Sequence, residues 1–360
     1  MTISYLPDLP KRKLPIMIIG AGSIVKDAHL PAYQIADFEV VGITNRNRSK
    51  AEELASQFKI AKVYNTLEEA LPVLPPDVVF DLTLPANFFA EYLRKLPDGA
   101  LVLIQKPMGE TMEQAQEILQ ICREKKLRAA INFQLRFAPF VIAAKNMIDQ
   151  GIIGDLYDME IRINVQTPWE HFEFLKNVPR LEIVYHSVHH IDCIRHFLGN
   201  PHGIYAKSIR HPTLTSMPES RSAMILDYGE EVRANIQTNH FHAYGAKHQE
   251  SYIKWEGSKG AIKAKMGLLM NYPHGVPDVL EYCVKNSKGE YEWEEVPFKG
   301  SWFPEAFIGT MAQMMRVHEG SDSSLCTSVE DCIHTMACVE AAYASSRQGG
   351  VAPTSFLTKK

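Results

Sequence analysis

Short apolar runs alternate with helical patterns over the first 135 residues of the chain. Between the runs, apolar residues recur at helical spacing, as Ala115, Ile118, Leu119 and Cys122 do. Runs that are apolar at nearly every position suit strands buried on both faces, so this region predicts a parallel, doubly wound α/β sheet. The predicted strands are Ile16–Ile19, Val40–Ile43, Val63–Tyr64, Asp77–Leu84, Leu101–Ile104 and Ala129–Ile131.

Two capping boxes mark helix starts in the same region. Ser49 is followed three residues later by Glu52, and Thr111 by Gln114. In such a pair the hydroxyl accepts from one free backbone N–H and the longer side chain accepts from another. We therefore predict that helices begin at Ser49 and at Thr111.

The pattern changes after about residue 150, where apolar and polar residues alternate. Alternation with period two predicts strands with one free face, and so a mostly antiparallel, open-faced sheet. Two helices close the chain, one around Glu305–His318 and one from Ser328 to just before Gly349. We predict a first domain over residues 1–135 and a second over residues 136–360, whose last helices are able to pack back on the first. The predicted strands of the second are Leu156–Val165, Ala223–Tyr228, Val232–Phe241, Tyr252–Trp255 and Glu281–Lys285.

Composition narrows the class of protein without naming a function. The chain is 46% hydrophobic and carries a formal charge of −4, which gives no reason to expect nucleic acid or an anionic membrane as a partner. No stretch approaches the roughly 18 apolar residues of a membrane span. The six cysteines are scattered and form no C-x-x-C pair, which favours reduced thiols and a cytoplasmic location.

A glycine-rich turn follows the first strand. Gly20 permits a tight turn, Gly22 lets a phosphate approach the backbone, and Ser23 and Ile24 open the next helix with free N–H groups. The third glycine of the usual pattern is Val25 here, so the match is partial. A strand before the turn and a helix after it predict dinucleotide binding by a Rossmann domain.

The end of the second strand bears on which dinucleotide binds. An acidic residue there usually accepts from the ribose hydroxyls of NAD, but the stretch from residue 44 to residue 50 contains none. Asn45 is neutral, whereas Arg46 and Lys50 are cationic and would attract a 2′-phosphate. We predict NADP(H), with NAD also possible. An ordinary solvated basic turn is the alternative.

Lys106 ends the fifth strand and is followed by Pro107, which has no N–H and turns the chain out of the sheet. Ligands of open parallel sheets bind outside the carboxyl ends of the strands. We therefore expect Lys106 to face the nicotinamide half of the cofactor. A plain surface lysine at a strand end is the alternative.

Several motifs, in their order along the chain, resemble one family of NAD(P)-dependent oxidoreductases. This is the family of glucose–fructose oxidoreductase, inositol dehydrogenase and the rhizopine-catabolism proteins, and the resemblance covers nearly the whole chain. The resemblance implies a Rossmann domain followed by an open-faced α/β domain whose sheet forms a homodimer or homotetramer. The motifs are the glycine turn, Thr83-Leu84-Pro85-Ala86-Asn87, Gln105-Lys106-Pro107, Arg136-Phe137-Ala138-Pro139, His189-His190-Ile191-Asp192, Leu198-Gly199 and the late Ser328–Arg347 helix.

The resemblance also implies roles for single residues. Lys106 would orient the reacting hydroxyl, His189 would act as acid or base, and Asp192 stands at the family's aspartate position. The remaining implied cofactor contacts are Thr83, Leu84, Pro85, Asn87 and Gln105. Two positions depart from the family pattern: Gln105 replaces a glutamate, and Tyr185 stands where many members carry an acid. The expected catalytic set is therefore incomplete.

Three histidines lie close together in the segment from Tyr185 to Asp192. On a helix Tyr185, His189 and Asp192 share one face, and His186 and His190 form a neighbouring pair. A zinc site and purely structural packing are the alternatives. We predict no metal, because hydride transfer to nicotinamide needs none.

The predicted chemistry is oxidation of a secondary alcohol or the reverse reduction. Neutral His189 would take the hydroxyl proton and Lys106 would stabilise the developing alkoxide. Tyr185 is the second choice as base, with a pKa lowered by a neighbouring lysine.

Substrate contacts are predicted for residues from several parts of the chain: Arg136, Gln166, Trp169, His171, His186 and Asp192. His240 and His242 are interpreted as structural or as oligomer contacts. The leading hypothesis is an NAD(P)-dependent dehydrogenase of a sugar, polyol or related carbohydrate. The alternatives are a glycosidase that retains its cofactor and a non-catalytic, cofactor-dependent regulator.

Overall fold

The structure is a computed structural model that describes residues 3–169, 175, 178–214, 217–272 and 274–353. Its first sheet has six parallel strands in the order β3-β2-β1-β4-β5-β6, the doubly wound order in which the first strand is central. Both faces are covered by helices, which is why these strands are apolar at almost every position. The strands are β1 Ile16–Ile19, β2 Val40–Thr44, β3 Val63–Tyr64, β4 Val79–Leu82, β5 Leu101–Ile104 and β6 Arg128–Ile131.

Of the five helices around this sheet, two have a side-chain cap at the N-terminus, and only one of the two predicted capping residues is among them. Thr111 caps its helix by accepting from the Gln114 N–H, as predicted, although Gln114 reaches back to the N–H of Glu110. The Ser49 box is wrong, because that helix begins at Arg48 without a side-chain cap. The helices are α1 Leu30–Ile35, α2 Arg48–Phe58, α3 Leu67–Ala70, α4 Phe89–Lys95 and α5 Met112–Glu124.

The second sheet has eight strands in the order β14-β13-β12-β11-β7-β10-β9-β8. Among the described strands of this second sheet, only the β7–β10 pair is parallel. Burial alternates along β11, so one face packs on helices and the other is open. The strands are β7 Leu156–Asn164, β8 Gly203–Ile209, β9 Arg221–Asp227, β10 Arg233–Asn239, β11 Glu250–Gly257, β12 Gly260–Lys265, β13 Val279–Lys285 and β14 Tyr291–Glu295.

The remaining helices connect the two sheets. One of them, α8, packs on α1 and β5, so that its apolar residues share a core with the first sheet. The last, α9, contacts α5 and β6 on one side and β8 on the other. These helices are α6 Pro139–Asp149, α7 Val188–Leu198, α8 Ala306–His318 and α9 Val329–Gln348.

Two further findings bear on the class of protein. None of the helices built from the described residues combines the length and the apolar character that a bilayer span requires. All six cysteines lie in the described ranges and are free thiols.

Candidate active site

The carboxyl ends of the central strands form a common edge. Ile19 of β1 pairs with Leu82 of β4, and Leu82 pairs with Ile104 of β5. The residues that follow these strand ends therefore lie at one level. Gly20 and Thr83 are two of them.

The glycine turn lies against the end of β4. Gly20 has a φ of +122°, and a Cβ there would lie 2.5 Å from the Thr83 hydroxyl oxygen, so only glycine fits. Gly22 has no heavy atom within 4 Å of the position of a Cβ, which leaves its backbone open to a ligand. Ser23 is exposed and Ile24 half-buried at the start of the helical segment that follows. The turn thus offers the open backbone surface that a pyrophosphate needs.

Behind this turn lies a buried network that the sequence reasoning missed. The helical segment opens with a π-helical turn, Val25–His29, and the His29 ring contacts the Asp81 carboxylate at 2.7 Å. The Tyr33 hydroxyl donates to the same carboxylate at 2.7 Å. Asp81 was detectable, since a carboxylate inside an apolar strand requires buried partners.

The polar turn that was predicted to contact the ribose of the cofactor follows β2. The Asn45 side chain accepts from the N–H of Ala21 at 3.2 Å, which ties this turn to the glycine loop. Arg46 is exposed and its guanidinium lies 5.4 Å from the centre of the Phe88 ring. Lys50 is exposed on the first turns of α2.

The other implied cofactor contacts follow β4 and β5. Thr83 is buried and its hydroxyl donates to the carbonyl of Ile19 at 3.0 Å. Leu84 is half-buried, whereas Pro85 and Asn87 are exposed beside the cleft edge of the sheet. Gln105 is buried at the end of β5. Its side-chain oxygen accepts from the N–H of Lys106 at 3.0 Å, so it fixes the backbone without adding charge.

Lys106 links the first sheet to the histidine segment. Its ammonium donates to the backbone carbonyl of Tyr185 at 2.7 Å, across 79 residues of sequence. Burial lowers the pKa of Lys106 to about 8, because removal from water disfavours the charged form. A lysine with this position and pKa is able to hold or to release a proton near neutral pH.

The histidine segment is helical but not uniformly α-helical. It begins with a π-helical turn, Glu182–Ser187, and continues as α7. Such wide turns are frequent at functional sites. His189 and His190 are buried, and His186 is half-buried.

The imidazoles are held neutral. Burial, followed by the charge of Lys106, lowers the pKa of His189 well below its usual value. Burial also lowers the pKa of His190 to about 3. The His189 ring is packed edge-on against Phe133 and Trp302. Neutral rings are proton acceptors, which is the form a general base requires.

Tyr185 does not have the environment proposed for an alternative base. Its hydroxyl donates to the carboxylate of Glu110, and burial together with that carboxylate raises its pKa. Lys106 contacts the Tyr185 backbone rather than its phenol. The expectation of a lowered tyrosine pKa is therefore wrong. Glu110 was missed because nothing local in the sequence pairs it with position 185.

Arg136 and Asp192 were predicted to contact substrate, but they bind each other. The guanidinium donates to both Asp192 carboxylate oxygens at 2.6 and 2.7 Å, and also to Asp331 and to the carbonyl of Cys326. Arg136 is 6% exposed and Asp192 1% exposed. Arg195 and Thr335 complete this cluster. The prediction failed because the sequence does not show that charges on different helices are paired.

Among the predicted substrate residues, Trp169 lies against the histidine segment. Trp169 is packed edge-on against His186, with ring centres 5.4 Å apart. Gln166 is joined to Phe241 by a strand bridge. Buried polar atoms of Gln166, Trp169, His186 and His189 have no hydrogen-bond partner within the part of the chain that the structure describes. Such atoms are costly unless a ligand or water binds them. His171 lies outside the described residues.

Among the described residues, the possible metal ligands whose atoms lie close enough together are Asp192, Asp331 and Cys332. Arg136 and Arg195 already bind these two carboxylates. The cluster is therefore an ion-pair network.

Comparison with known proteins identifies the family of the chain. Residues 14–133 match the profile described as "Oxidoreductase family, NAD-binding Rossmann fold". Residues 145–354 match "Oxidoreductase family, C-terminal alpha/beta domain" of the same family. The chain belongs to the Gfo/Idh/MocA oxidoreductase family. The predictions of fold class and family are confirmed.

Other members give a coarse idea of the chemistry. D-glucoside 3-dehydrogenase of Escherichia coli is 31% identical over 146 residues, which cover 40% of this chain and 41% of the relative. D-xylose 1-dehydrogenase (NADP(+)) 2 of Haloferax volcanii is 22% identical over 62% of this chain and 68% of its own length. The chain spans about two fifths of the length of the first curated relatives it matches.

Solved structures of the family show the same fold. An oxidoreductase from Agrobacterium radiobacter, determined with NAD+, L-tartaric acid and magnesium, superposes with a TM-score of 0.77. The superposition covers 94% of this chain and 98% of that one at 18% identity.

Proposed function

We propose that the chain is an NADP(H)-dependent dehydrogenase or reductase acting on a secondary alcohol or carbonyl of a sugar, polyol or related carbohydrate. One observation carries the proposal. The Lys106 ammonium, at the cofactor edge of the first sheet, is bonded to the segment that carries His189. From this bond we infer that a cation and a neutral imidazole, one from each half of the chain, face one cleft.

The bound nicotinamide supplies hydride acceptance or donation at C4. The chain's own part is to move the proton and to stabilise charge. His189, neutral because burial and Lys106 lower its pKa, accepts the hydroxyl proton at its ring nitrogen. Lys106 donates a hydrogen bond to the oxygen as negative charge develops there. In the reverse direction protonated His189 returns the proton to the substrate oxygen, and Lys106 stabilises the negative charge on that oxygen.

The preference for NADP(H) is supported by the turn after β2. Arg46 and Lys50 are exposed there, and residues 44 to 50 include no carboxylate that would repel a 2′-phosphate. Replacement Arg46→Ala should raise the KM for NADP+ about tenfold, the scale of one charge-assisted hydrogen bond, and leave the KM for NAD+ nearly unchanged. Equal changes for both cofactors would contradict the assignment.

A polyhydroxylated substrate suits the cleft. Gln166, Trp169 and His186 bring polar atoms that lack partners among the described residues, and hydroxyl groups are able to satisfy donors and acceptors alike. Two relatives are by name dehydrogenases of a glucoside and of xylose.

We also propose that copies of the chain associate through the open face of the second sheet. Tyr205 and Ile225 pair across β8 and β9 and are 65% and 51% exposed. Large exposed apolar side chains on a sheet face are typical of interaction surfaces. Light scattering should report a dimer or tetramer, and Ile225→Asp should shift the protein toward monomer.

Six free thiols support the proposal of a cytoplasmic location.

The test of the function is an absorbance assay at the reduced-nicotinamide band. Aldoses, ketoses, inositols and sugar acids are offered with NAD+ and NADP+ in parallel, and Lys106→Met serves as the inactive control. Reduction with at least one sugar or polyol, faster with NADP+, is the expected result. No reduction with any compound, while the protein still binds NADP+, would contradict it and favour a regulator.

A further inference from the structure

A buried carboxylate lies in the histidine segment and takes no part in the chemistry described above. Glu182 begins the π-helical turn and is 0% exposed. The Ser187 hydroxyl donates to it at 2.6 Å. Placing a carboxylate out of water is costly unless a partner compensates for it. The structure supplies that partner from the second sheet.

The partner is His240, which directly follows β10. Its Nε2 lies 3.6 Å from the Glu182 carboxylate, which is within ion-pair distance but beyond that of a hydrogen bond. Its Nδ1 shares a hydrogen bond of 3.0 Å with the Thr167 hydroxyl. The backbone is fixed on both sides, because the His240 N–H donates to Ser220 and its carbonyl accepts from Thr167. Of the two interpretations that the sequence left open for His240, its 2% exposure is consistent with the structural one and disagrees with an oligomer contact.

The His240 ring in turn supports His186. The two imidazoles are stacked with centres 4.5 Å apart and an interplanar angle of 29°. Trp169 is packed edge-on against both rings. The stacked His240 ring thus sets the plane of His186 and the direction of its ring nitrogens. The His240 ring is itself held by its contacts with Glu182 and Thr167.

We propose that Glu182 and His240 are positioning residues for substrate binding: the carboxylate holds His240 with a proton on Nε2, and the stacked His240 ring fixes His186 for contact with a substrate hydroxyl. This inference rests on the function proposed above. A ring nitrogen that faces a carboxylate carries the proton, and the other nitrogen is then free to accept from Thr167.

The charge of Glu182 fits this role. Burial alone would raise its pKa, but the His240 ring and the hydroxyls of Ser187 and Ser222 lower it below the usual value. The carboxylate is therefore ionised at neutral pH and favours the proton on the nitrogen that faces it.

The test compares Glu182→Gln with Glu219→Gln. Both variants remove a carboxylate beside the same segment, but Glu219 accepts from the Leu181 N–H and the Tyr343 hydroxyl instead of facing a histidine. Nitrogen-15 spectra of the histidine rings, with His240 assigned from a His240→Gln variant, report which nitrogen carries the proton. The wild type should show His240 protonated at Nε2, and only Glu182→Gln should shift those signals.

Kinetics provide the second readout. Glu182→Gln should raise the substrate KM about tenfold while kcat stays within about threefold, because binding rather than chemistry loses its support. Glu182→Asp, which keeps the charge, should recover part of the loss.

Either of two results would overturn the proposal: His240 protonated at Nδ1 in the wild type, or equal effects of Glu182→Gln and Glu219→Gln on the substrate KM. The ring spectra require no turnover. If the ring spectra agree with the prediction but the protein reduces no cofactor, the result contradicts the proposed function and leaves the positioning of His240 by Glu182 supported.

Discussion

The histidine-bearing helix takes part in two charged clusters that differ in one respect. The paired cluster comprises Arg136, Asp192, Arg195, Asp331 and Thr335, where every guanidinium meets a carboxylate. The cleft cluster comprises Lys106, His186, His189 and His190, where the cation has only a backbone carbonyl and buried ring nitrogens lack partners among the described residues.

This difference distinguishes residues that stabilise the fold from residues that we propose to act on a ligand. A buried charge whose donors are all used stabilises the arrangement of helices, and removal of one partner leaves the other uncompensated. Buried polar groups without partners cost stability and persist where a ligand completes them. Arg136 and Lys106 come from neighbouring parts of one sheet edge, yet we propose that Lys106 alone of the two acts on a substrate.

The largest expected effect is the loss of Lys106. Lys106→Met should lower kcat/KM about 10³-fold, the upper range for removal of one donor to a developing oxyanion. Stability should stay the same or rise, because burial already disfavours the charged amine. Kinetics and a calorimetric melting scan measure the two quantities. If the melting temperature falls together with the activity, Lys106 acts by stabilising the fold, as Arg136 does.

Arg136→Met should have the opposite signature. The free energy of unfolding should fall by about 3–5 kcal/mol in urea titration, because the buried Asp192 loses its bidentate partner and keeps only the Thr335 hydroxyl and the more distant Arg195. Activity per folded molecule should stay within about threefold. The double variant Arg136→Met/Asp192→Leu should recover part of the stability. A large loss of activity in a protein of unchanged stability would overturn the assignment.

His189→Ala should lower kcat about 10²-fold, the lower range for a general base, since its low pKa makes it a weak one. His196 on the same helix is a matched control, because its ring packs against Phe197 away from Lys106. His196→Ala should remain within about threefold of the parent. If His189→Ala also remains within about threefold, His189 is not the acid or base.

The smallest effect is on the pH profile. The Lys106 cation is lost as pH rises through its pKa of about 8, so kcat/KM should fall to about half near pH 8. The profile should stay flat between about pH 6 and 7, because the pKa of His189 lies well below its usual value. Lys106→Arg should move the alkaline limb upward, and an unmoved limb would assign it to another group.

The lowered pKa of Lys106 also makes the stability of the folded protein depend on pH. The folded state releases the Lys106 proton near pH 8, before the unfolded chain does at about 10.5, so Lys106 makes folding more favourable as pH rises between these values.

Most of the first domain was predictable because buried parallel strands have a strong local signal. The bounds of β1, β3 and β5 agree with the prediction to the residue. In the second sheet β8, β12 and β14 were missed. The five residues of β14 are all exposed, and only pairing with β13 makes them a strand.

The site was predictable only as far as local motifs reach. The glycine turn and Lys106 are recognisable because strand, turn and following residue are adjacent in sequence. Glu182 and His240 are 58 residues apart, as 240 minus 182 gives, and no spacing rule connects them. Arg136 and Asp192 were misread for the same reason, since their pairing depends on how α7 packs.

The central claim is that Lys106 and His189 converge on the reactive ring of the cofactor. A crystal structure of the protein with NADP+ bound tests it most directly. The account predicts the 2′-phosphate beside Arg46 and the nicotinamide C4 facing the space between the Lys106 amine and the His189 ring. A nicotinamide ring bound away from that space, with either group on its far side or out of reach, would contradict it.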